Sequence, residues 1–278
     1  MLVVTGATGT VGSVVLRELV DAGAPVRAVG PRPPTPRDGA DWRPFSFVDP
    51  AGWPAAFEGA TGLFLLRPPA LARVARDVLP AVAHARAAGV RRVVFLSVLG
   101  AERVPPLPHR RIERWLDASG MTAVHLRAGN FMQNLLTVHA ADIRERSELT
   151  LPAGAARMSY VDARDVGAMA ARCLLDANAA GAAYAPTGPA AISHSEVAEA
   201  LADVLGRPIG YRPAALPRYW AHARRTGMPL GVTVATSVLY TLARFGVGAR
   251  VTDDVARVLG RPPTDFRTFA EQHRSAWT

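Results

Sequence analysis

The sequence contains no lysine, since all 32 of its basic residues are arginines. This absence excludes chemistry that depends on a lysine amine: a Schiff base, the lysine of a P-loop, and the Tyr-x-x-x-Lys pair of many dehydrogenases. Cysteine is almost as scarce, because Cys173 is the only one and has no partner for an internal disulfide. Cys173 lies in the apolar segment AMAARCLL, so we interpret it as a core residue and not as a nucleophile.

Long apolar runs are also missing. No stretch of eighteen apolar residues occurs, which predicts that no helix spans a membrane. The N-terminus has no basic leader, and glycines interrupt its apolar segment, so a signal peptide is not expected. Together with the single cysteine, these features predict a cytoplasmic protein. The seven histidines show no ligand spacing, and no metal site is expected.

The net charge of +9 comes from arginines spread along the whole chain. No cluster of five arginines marks a nucleic-acid surface, so we interpret the charge as a solvated surface. Such a surface still favours an anionic cofactor through long-range attraction. The expected partners are therefore a small-molecule substrate and a cofactor, with no nucleic acid and no membrane, in a monomer or homodimer.

Short apolar segments alternate with helical periodicity in the first half of the chain. Strands are predicted at residues 2–5, 26–29, 45–48, 63–66, 92–96 and 123–127, and helices at 10–21, 71–88 and 109–119. This alternation predicts an α/β fold with a parallel sheet covered on both faces, that is, a doubly wound Rossmann domain over residues 1–150.

The pattern weakens after residue 150. Short strands are predicted near 184–186 and at 209–212, and helices at 195–205, 216–225, 234–245, 253–259 and 264–273. Residues 151–278 are therefore expected to form a smaller, mostly helical substrate-binding lobe, partly interleaved with the sheet.

A glycine-rich turn directly follows the first predicted strand. Its sequence is Gly6-Ala7-Thr8-Gly9-Thr10-Val11-Gly12, with the spacing G-x-x-G-x-x-G, and it opens the first helix. Gly6 permits a tight turn, Gly9 allows a pyrophosphate to approach the backbone, and Gly12 allows the helix to pack on the sheet. The free N–H groups of the helix start attract phosphates. This context predicts NAD(P) binding.

The segment after the second strand bears on which dinucleotide binds. An acidic residue there would bind the ribose hydroxyls of NAD, but the segment reads Val29-Gly30-Pro31-Arg32-Pro33. Arg32, with Arg37 as a second candidate, can pair with a 2′-phosphate, which favours NADP(H) over NAD(H). The alternative is that Arg32 is a solvated loop residue. Asp49, after the third predicted strand, is placed to meet the adenine.

Several segments in fixed order carry a family resemblance. Besides the glycine turn they are FLSVLGAE (95–102), HRRIERWLDASGM (109–121), HLRAGNFMQNL (125–135), SYVDARDVGAMA (159–170), YAPTGPAAISHSEVAEALADVLGRPIGY (184–211) and VTDDVARVLGRPPTDF (251–266). In these segments the chain resembles the NmrA-like branch of the atypical short-chain dehydrogenases/reductases. That branch contains NADPH-dependent quinone reductases, triphenylmethane-dye reductases and redox-sensing regulators.

The resemblance implies roles for individual residues. The cofactor would be held by Gly6 to Val11 at the pyrophosphate, by Leu66, Arg67 and Pro68 at the adenosine and nicotinamide ribose, and by Ser97, Val98 and Asn130 at the nicotinamide. The substrate would meet His109, Glu113, Phe131 and Asn134. The branch usually has a basic residue where Pro31 stands, so Arg32 would have to replace it from the next position.

The resemblance implies an NAD(P)H-dependent reductase that transfers a hydride to a small conjugated or aromatic substrate, such as a quinone, enal, imine or carbonyl. His109 is the candidate proton donor, because it stands where common short-chain dehydrogenases have a tyrosine. Alternatively, an already electrophilic substrate needs no protein acid, and the protein only positions the reactants. A non-redox isomerase or cyclase and a non-catalytic NAD(P)-sensing regulator remain as other functions.

Overall fold

The computed structural model describes residues 1–34, 40–176, 179 and 183–278. The sequence candidate Arg37 lies outside these residues. Contacts divide the chain into two units: unit 1 comprises 1–128, 163–185 and 257–260, and unit 2 comprises 129–162, 186–256 and 261–278. The boundary expected at residue 150 therefore falls inside unit 2. The chain returns to unit 1 at residue 163. There a helix packs on the sheet, and a short strand after it forms one edge of the sheet.

The elements within the described residues are as follows. The strands are β1 (Leu2–Thr5), β2 (Val26–Gly30), β3 (Asp41–Pro44), β4 (Gly62–Leu65), β5 (Arg92–Val98), β6 (Thr122–Ala128), β7 (Asn130–Phe131), β8 (Glu148–Leu151), β9 (Arg157–Val161), β10 (Ala183–Tyr184), β11 (Ala191–Ser193) and β12 (Gly210–Pro213). The helices are α1 (Gly12–Asp21), α2 (Trp53–Phe57), α3 (Val74–Asp77), α4 (Leu79–Ala87), α5 (Pro108–Asp117), α6 (Ala163–Leu175), α7 (His194–Leu205), α8 (Leu216–Arg225), α9 (Leu230–Arg244), α10 (Asp254–Leu259) and α11 (Phe266–Gln272).

Unit 1 is built on one parallel sheet. Its strand order is β3-β2-β1-β4-β5-β6-β10, and every neighbouring pair of these described strands is parallel. The sequence prediction of a doubly wound Rossmann sheet is confirmed. The strand order reverses beside β1, between β1 and β4, and ligands of open α/β sheets bind outside the carboxyl ends of the strands at such a point.

Helices α1 and α6 pack closely together in unit 1. Val14, Val15 and Leu19 of α1 are buried, as the helical periodicity predicted. Gly167 of α6 makes the close approach possible, because a Cβ at this position would lie 2.6 Å from the Cβ of Val14. The sequence indicated a helix near Asp162 and Asp165 but predicted no bounds for α6. Its buried residues occupy more than one face, so it lacks the one-sided apolar period that marks a surface helix.

Two predicted elements differ from the structure. The third strand was expected at 45–48 but β3 is Asp41–Pro44, because Phe45 and Phe47 follow the strand and pack into the core of unit 1. The predicted helix over 71–88 is two helices, α3 and α4, which meet at Val78. Pro80 explains the break, since a proline has no N–H to donate and its ring clashes with the carbonyl four residues earlier.

Unit 2 combines short strands with helices. A small sheet has the order β11-β9-β7, and β8 pairs with β12. Helix α7 begins with a capping box, in which the Ser193 hydroxyl accepts from the Glu196 N–H while the Glu196 carboxylate accepts from the Ser193 N–H. The core includes Trp277, which is fully buried and donates its indole N–H to the Leu135 carbonyl at 2.9 Å.

Candidate functional site

The glycine turn between β1 and α1 has a defined backbone shape. Gly6 takes a φ of 65°, a conformation that favours glycine, and the Gly9 N–H donates to the Gly6 carbonyl at 2.9 Å. A Cβ on Gly12 would lie 2.1 Å from the Gly6 carbonyl oxygen, so only glycine fits there. A Cβ on Gly9 would contact only that same oxygen, at 3.2 Å. The turn thus keeps its outer side open beside the N-terminus of α1.

A cavity of about 420 Å³ lies against this turn. Its lining consists of Ala7, Thr8, Ser13, Leu16, Arg32, Pro33 and Pro34. The exposed Arg32 after β2 therefore reaches the same cavity as the first residues of α1. The volume suits part of a dinucleotide, and the lining residues carry backbone N–H groups, two hydroxyls and a guanidinium, which are groups that bind phosphate. The residues present fit an anionic dinucleotide.

Thr5 connects the glycine turn to the chain after β4. Its buried hydroxyl donates to the Phe64 carbonyl at 2.9 Å and accepts from the Leu66 N–H at 2.8 Å. The Leu66 side chain also lies over Gly6, since a Cβ there would be 3.3 Å from Leu66 Cδ2. Thr5 was not among the sequence candidates. Its position at the carboxyl end of β1, beside β4, is the signal that could have identified it.

Arg67 and Pro68 follow Leu66. The Arg67 guanidinium donates through Nη1 to the carbonyls of Pro68 at 2.9 Å, Pro69 at 3.1 Å and Leu71 at 3.1 Å. These bonds fix the side chain against its own loop. The loss of water around the guanidinium lowers the pKa of Arg67 below its ordinary value.

A buried ion cluster joins α5 to β5 and β6. Glu113 is fully buried, and its carboxylate accepts from Ser97 Oγ at 2.7 Å, from Arg127 at 2.9 Å on each oxygen, and from Arg110 at 3.0 Å. Burial acts to raise the pKa of Glu113, but these hydrogen bonds outweigh it and hold the pKa below its ordinary value. The structure thus gives the Glu113 carboxylate three protein partners, and the Ser97 hydroxyl donates to it.

Arg127 is a member of this cluster that was missed in the sequence. Helix α5 buries Ile112 and Leu116, and Glu113 adjoins Ile112 on the same buried side. A carboxylate on a buried helix face requires a cation, and that requirement could have directed attention to an arginine in a neighbouring strand.

His109 lies one helical turn before Glu113. Its ring is half-buried and stacks on Phe95, with centroids 6.1 Å apart and an interplanar angle of 29°. Burial lowers the pKa of His109 to about 4, with a further lowering from the positive charge of Arg67 and an opposing effect of Glu113. His109 is therefore neutral at pH 7. The α5 N-cap is Leu107, two residues before His109.

The remaining candidates in unit 1 occupy defined places. Val98 ends β5 and pairs with Ala128 of β6. Asp49 is exposed, and its carboxylate caps a short 3-10 turn by accepting from the Ala51 N–H at 3.0 Å. Cys173 is buried, which raises the pKa of its thiol to about 12 and leaves it unreactive.

The unit 2 candidates are connected to one another. The Asn134 amide donates to the Asn130 side-chain oxygen at 3.0 Å, and Asn130 lies opposite the buried Tyr160 in the register of β7 and β9. Phe131 is half-buried in β7 beside them. Tyr160 was missed in the sequence, since its link to Asn130 depends on the parallel pairing of β7 with β9.

Two absences concern only the described part of the chain. None of its helices is both long and apolar enough to cross a membrane. Across the described ranges, no group of three or more His, Cys, Asp or Glu side chains is arranged to hold a metal ion.

A parallel sheet in this order, with a glycine turn after β1 and a phosphate-compatible cavity beside it, defines a dinucleotide-binding protein of the Rossmann class. The model of the NmrA-like family matches residues 44–235. The chain belongs to the NmrA-like family, which confirms the resemblance found in the sequence.

Known proteins similar to this chain agree with that assignment. An NAD(P)H azoreductase of Xenophilus azovorans is 35% identical over 290 residues, covering 100% of this chain and 99% of that protein. A (4-alkanoyl-5-oxo-2,5-dihydrofuran-3-yl)methyl phosphate reductase of Streptomyces griseus is 34% identical, and the match covers 100% of this chain and 99% of that protein. The solved Escherichia coli NADPH-dependent quinone oxidoreductase in complex with NADPH has a TM-score of 0.89 at 24% identity, covering 99% and 100%.

Proposed function

We propose that this protein is an NAD(P)H-dependent reductase that transfers a hydride to a small conjugated or aromatic electrophile, such as a quinone, enal, imine or carbonyl. The observation that carries the proposal is the cavity between the glycine turn and Arg32. The chain is also similar along its whole length to proteins named as reductases, and this similarity supports the same reaction class. The cofactor supplies the hydride when it is bound.

The glycine turn and the start of α1 bind the diphosphate in this proposal. The first turn of a helix has backbone N–H groups without a partner inside the helix, and it carries the positive end of the helix dipole. On the family pattern, Leu66 and Pro68 are assigned to the ribose of the nicotinamide half, and Ser97, Val98 and Asn130 are assigned to the nicotinamide. Phe131 and Asn134 are assigned to the substrate on the family pattern.

NADP(H) is the favoured cofactor in this proposal. Arg32 and Ser13 line one cavity, and together they offer a charged fork and a hydroxyl to a 2′-phosphate. No acidic residue ends β2, where the ribose hydroxyls of NAD would need an acceptor. Asp49 is assigned to the adenine.

The protein contributes mainly orientation and exclusion of water to the reaction. His109 is neutral at working pH, so it offers a hydrogen bond to a developing oxygen instead of a proton from an imidazolium. Glu113 holds α5 in place through Ser97 and Arg127. We also place the protein in the cytoplasm, in agreement with its single buried cysteine.

Two measurements test the proposal. NADPH oxidation is followed with menadione and with a panel of enals and imines, and oxidation of at least one is expected. Arg32→Ala is expected to weaken NADPH binding by about 10- to 100-fold and NADH binding less than about twofold, because one charge-assisted contact is lost. Arg17→Ala, an exposed arginine of α1, is the matched control for net charge.

Two outcomes would contradict it. Tight NADPH binding without oxidation by any electrophile points to a sensor or a non-redox enzyme. An equal effect of Arg32→Ala on both cofactors identifies Arg32 as a loop residue and removes the preference for NADP(H).

A further inference from the structure

The Arg67 guanidinium is hydrogen-bonded through one nitrogen, Nη1, and not through Nε, within the described residues. Three carbonyl oxygens of its own loop accept from Nη1, at 2.9 to 3.1 Å. Its Nε atom is buried and has no hydrogen-bond partner within the described residues. Buried N–H groups are nearly always paired, because an unpaired donor loses its water without replacement. The guanidinium therefore has donor capacity that the protein itself does not use.

The charge of Arg67 is likewise uncompensated. In the described chain no carboxylate forms an ion pair with Arg67, whereas the buried Arg27 and the half-buried Arg127 pair with Asp41 and Glu113. The fully buried Glu113 already accepts from three partners and is committed to them. A partly buried cation without a counter-ion is costly unless an anion binds beside it.

His109 lies near enough to Arg67 to be affected by its charge. Neutral His109 adds a second N–H or acceptor at this place without adding a charge of its own. Its ring is held by stacking on Phe95. Arg67 follows β4 and His109 stands at the start of α5, and the positive charge of Arg67 opposes protonation of the His109 ring.

The position of Arg67 in the sheet separates it from the cavity beside Arg32. Arg32 follows β2 and Arg67 follows β4, and these strands lie on opposite sides of β1. Ser97 is the residue before the last of the next strand, β5, on the Arg67 side. The glycine turn and Arg32 already serve the phosphates in the proposed function, so Arg67 remains available to the molecule that is reduced.

We propose that Arg67 is a receptor for an anionic group on the substrate, with His109 as its neutral partner, so that the preferred substrates are conjugated electrophiles that carry a carboxylate, sulfonate or phosphate. This inference rests on the proposed reductase function, and it departs from the family pattern, which assigns Arg67 to the cofactor. The alternative source of the anion is a phosphate of the cofactor itself, and the experiment distinguishes the two.

The test compares two quinones that differ at one carbon, 1,4-naphthoquinone-2-sulfonate and the neutral 2-methyl-1,4-naphthoquinone. Arg67→Met is expected to raise KM for the sulfonate about tenfold or more and KM for the neutral quinone less than about twofold, with an unchanged Kd for NADPH. Arg67→Lys should recover most of the discrimination because it keeps the charge. Arg73→Met, an exposed arginine of the same segment, controls for net charge and should change neither KM.

Other results would overturn the inference. Weaker NADPH binding with unchanged discrimination between the quinones makes Arg67 a cofactor residue. An equal rise of both KM values makes it a residue that only shapes the loop.

A binding measurement keeps the inference testable if neither quinone is reduced. Calorimetry with naphthalene-2-sulfonate and the NADP⁺-loaded protein should show binding that Arg67→Met weakens about tenfold and Arg73→Met does not. Such binding without turnover would refute the reductase proposal and leave the anion receptor standing. Absence of binding to the folded, cofactor-loaded protein would refute the receptor.

Discussion

Arg127 holds both carboxylate oxygens of Glu113, with Nε and Nη2 each 2.9 Å from an oxygen. This contact joins the middle of α5 to β6, and Ser97 adds a bond from β5. Because Glu113 has no exposed surface, the contact is a bidentate ion pair shielded from water, and α5 is the helix that carries His109. Glu113 therefore acts as an anchor of the helix on which a candidate substrate contact stands.

Glu113→Gln should lower the free energy of unfolding by about 3 kcal/mol, because it removes the charge that pairs with the half-buried Arg110 and Arg127 and leaves Arg127 only its longer contact with Glu102, at 3.5 Å. Urea denaturation at pH 7 measures this change. The control is Glu145→Gln, which breaks the exposed pair with Arg144 and should cost less than about 0.5 kcal/mol. Equal effects of the two substitutions would show that the buried cluster is not a stability anchor.

Gly12→Ala should abolish dinucleotide binding and reduce stability. The added Cβ would lie 2.1 Å from the Gly6 carbonyl oxygen, so the turn must shift away from the helix start. Calorimetry with NADPH and thermal unfolding measure the two effects. The matched control is Gly231→Ala in α9, where a Cβ meets nothing within 4 Å and should stabilise the helix by about 0.5–1 kcal/mol. Normal NADPH affinity in Gly12→Ala would remove the glycine turn from the cofactor site.

Local sequence features predicted most of the sheet. Alternating apolar strands and one-sided helices need only short-range information, and α1, β4, β5 and α8 lie at or within a few residues of their expected positions. Helix α6 was harder to predict because it is buried on several sides, and the bounds of β3 were missed because the apolar side chains of Phe45 and Phe47 pack into the core just after the strand ends. The positions of α6 and β3 depend on packing partners that lie far away in the sequence.

The candidate site likewise contains features that the local sequence predicts and others that depend on the fold. The glycine turn could be predicted because the conformation of Gly6 and the start of α1 are local properties. The hydrogen bond of Thr5 to Phe64 and the ion pair of Arg127 with Glu113 require the register of neighbouring strands and helices, which no local pattern contains. Arg67 could be noticed in the sequence, but its unused donor is visible only in the folded loop.

Acid should destabilise the protein between about pH 6.5 and pH 4 through buried histidines. Burial lowers the pKa of His139 to about 4 and that of His194 to about 3, below the unfolded value near 6.5. The unfolded state binds more protons in this window, so stability is present above pH 6.5 and is lost as the pH falls. Each histidine contributes up to about 1.4 kcal/mol per pH unit.

His194→Phe tests this prediction, because both ring nitrogens of His194 lack hydrogen bonds within the described residues and its ring packs among tyrosines. Urea unfolding from pH 7.5 to 4.5 should give a shallower pH dependence in the variant. Tyr211→Phe, which removes the hydroxyl bonded to the Gly154 carbonyl, should shift stability by the same amount at every pH. Parallel curves for the wild type and His194→Phe would contradict the assignment.

Titration of His109 should cause no change in the rate of hydride transfer between pH 5.5 and pH 8.5. Its pKa of about 4 leaves the imidazole neutral throughout this range, so no imidazolium is available to titrate. His109→Phe should raise the KM of the substrate and lower kcat less than about tenfold, whereas loss of a general acid usually costs 10²–10⁴-fold. Steady-state kinetics of both proteins across this range measure the difference. A wild-type rate that falls above a pKa near 7, with the fall absent in His109→Phe, would instead make His109 the proton donor. Neutral His109 beside the cationic Arg67 favours the flat profile, because the nearby positive charge opposes protonation of the ring.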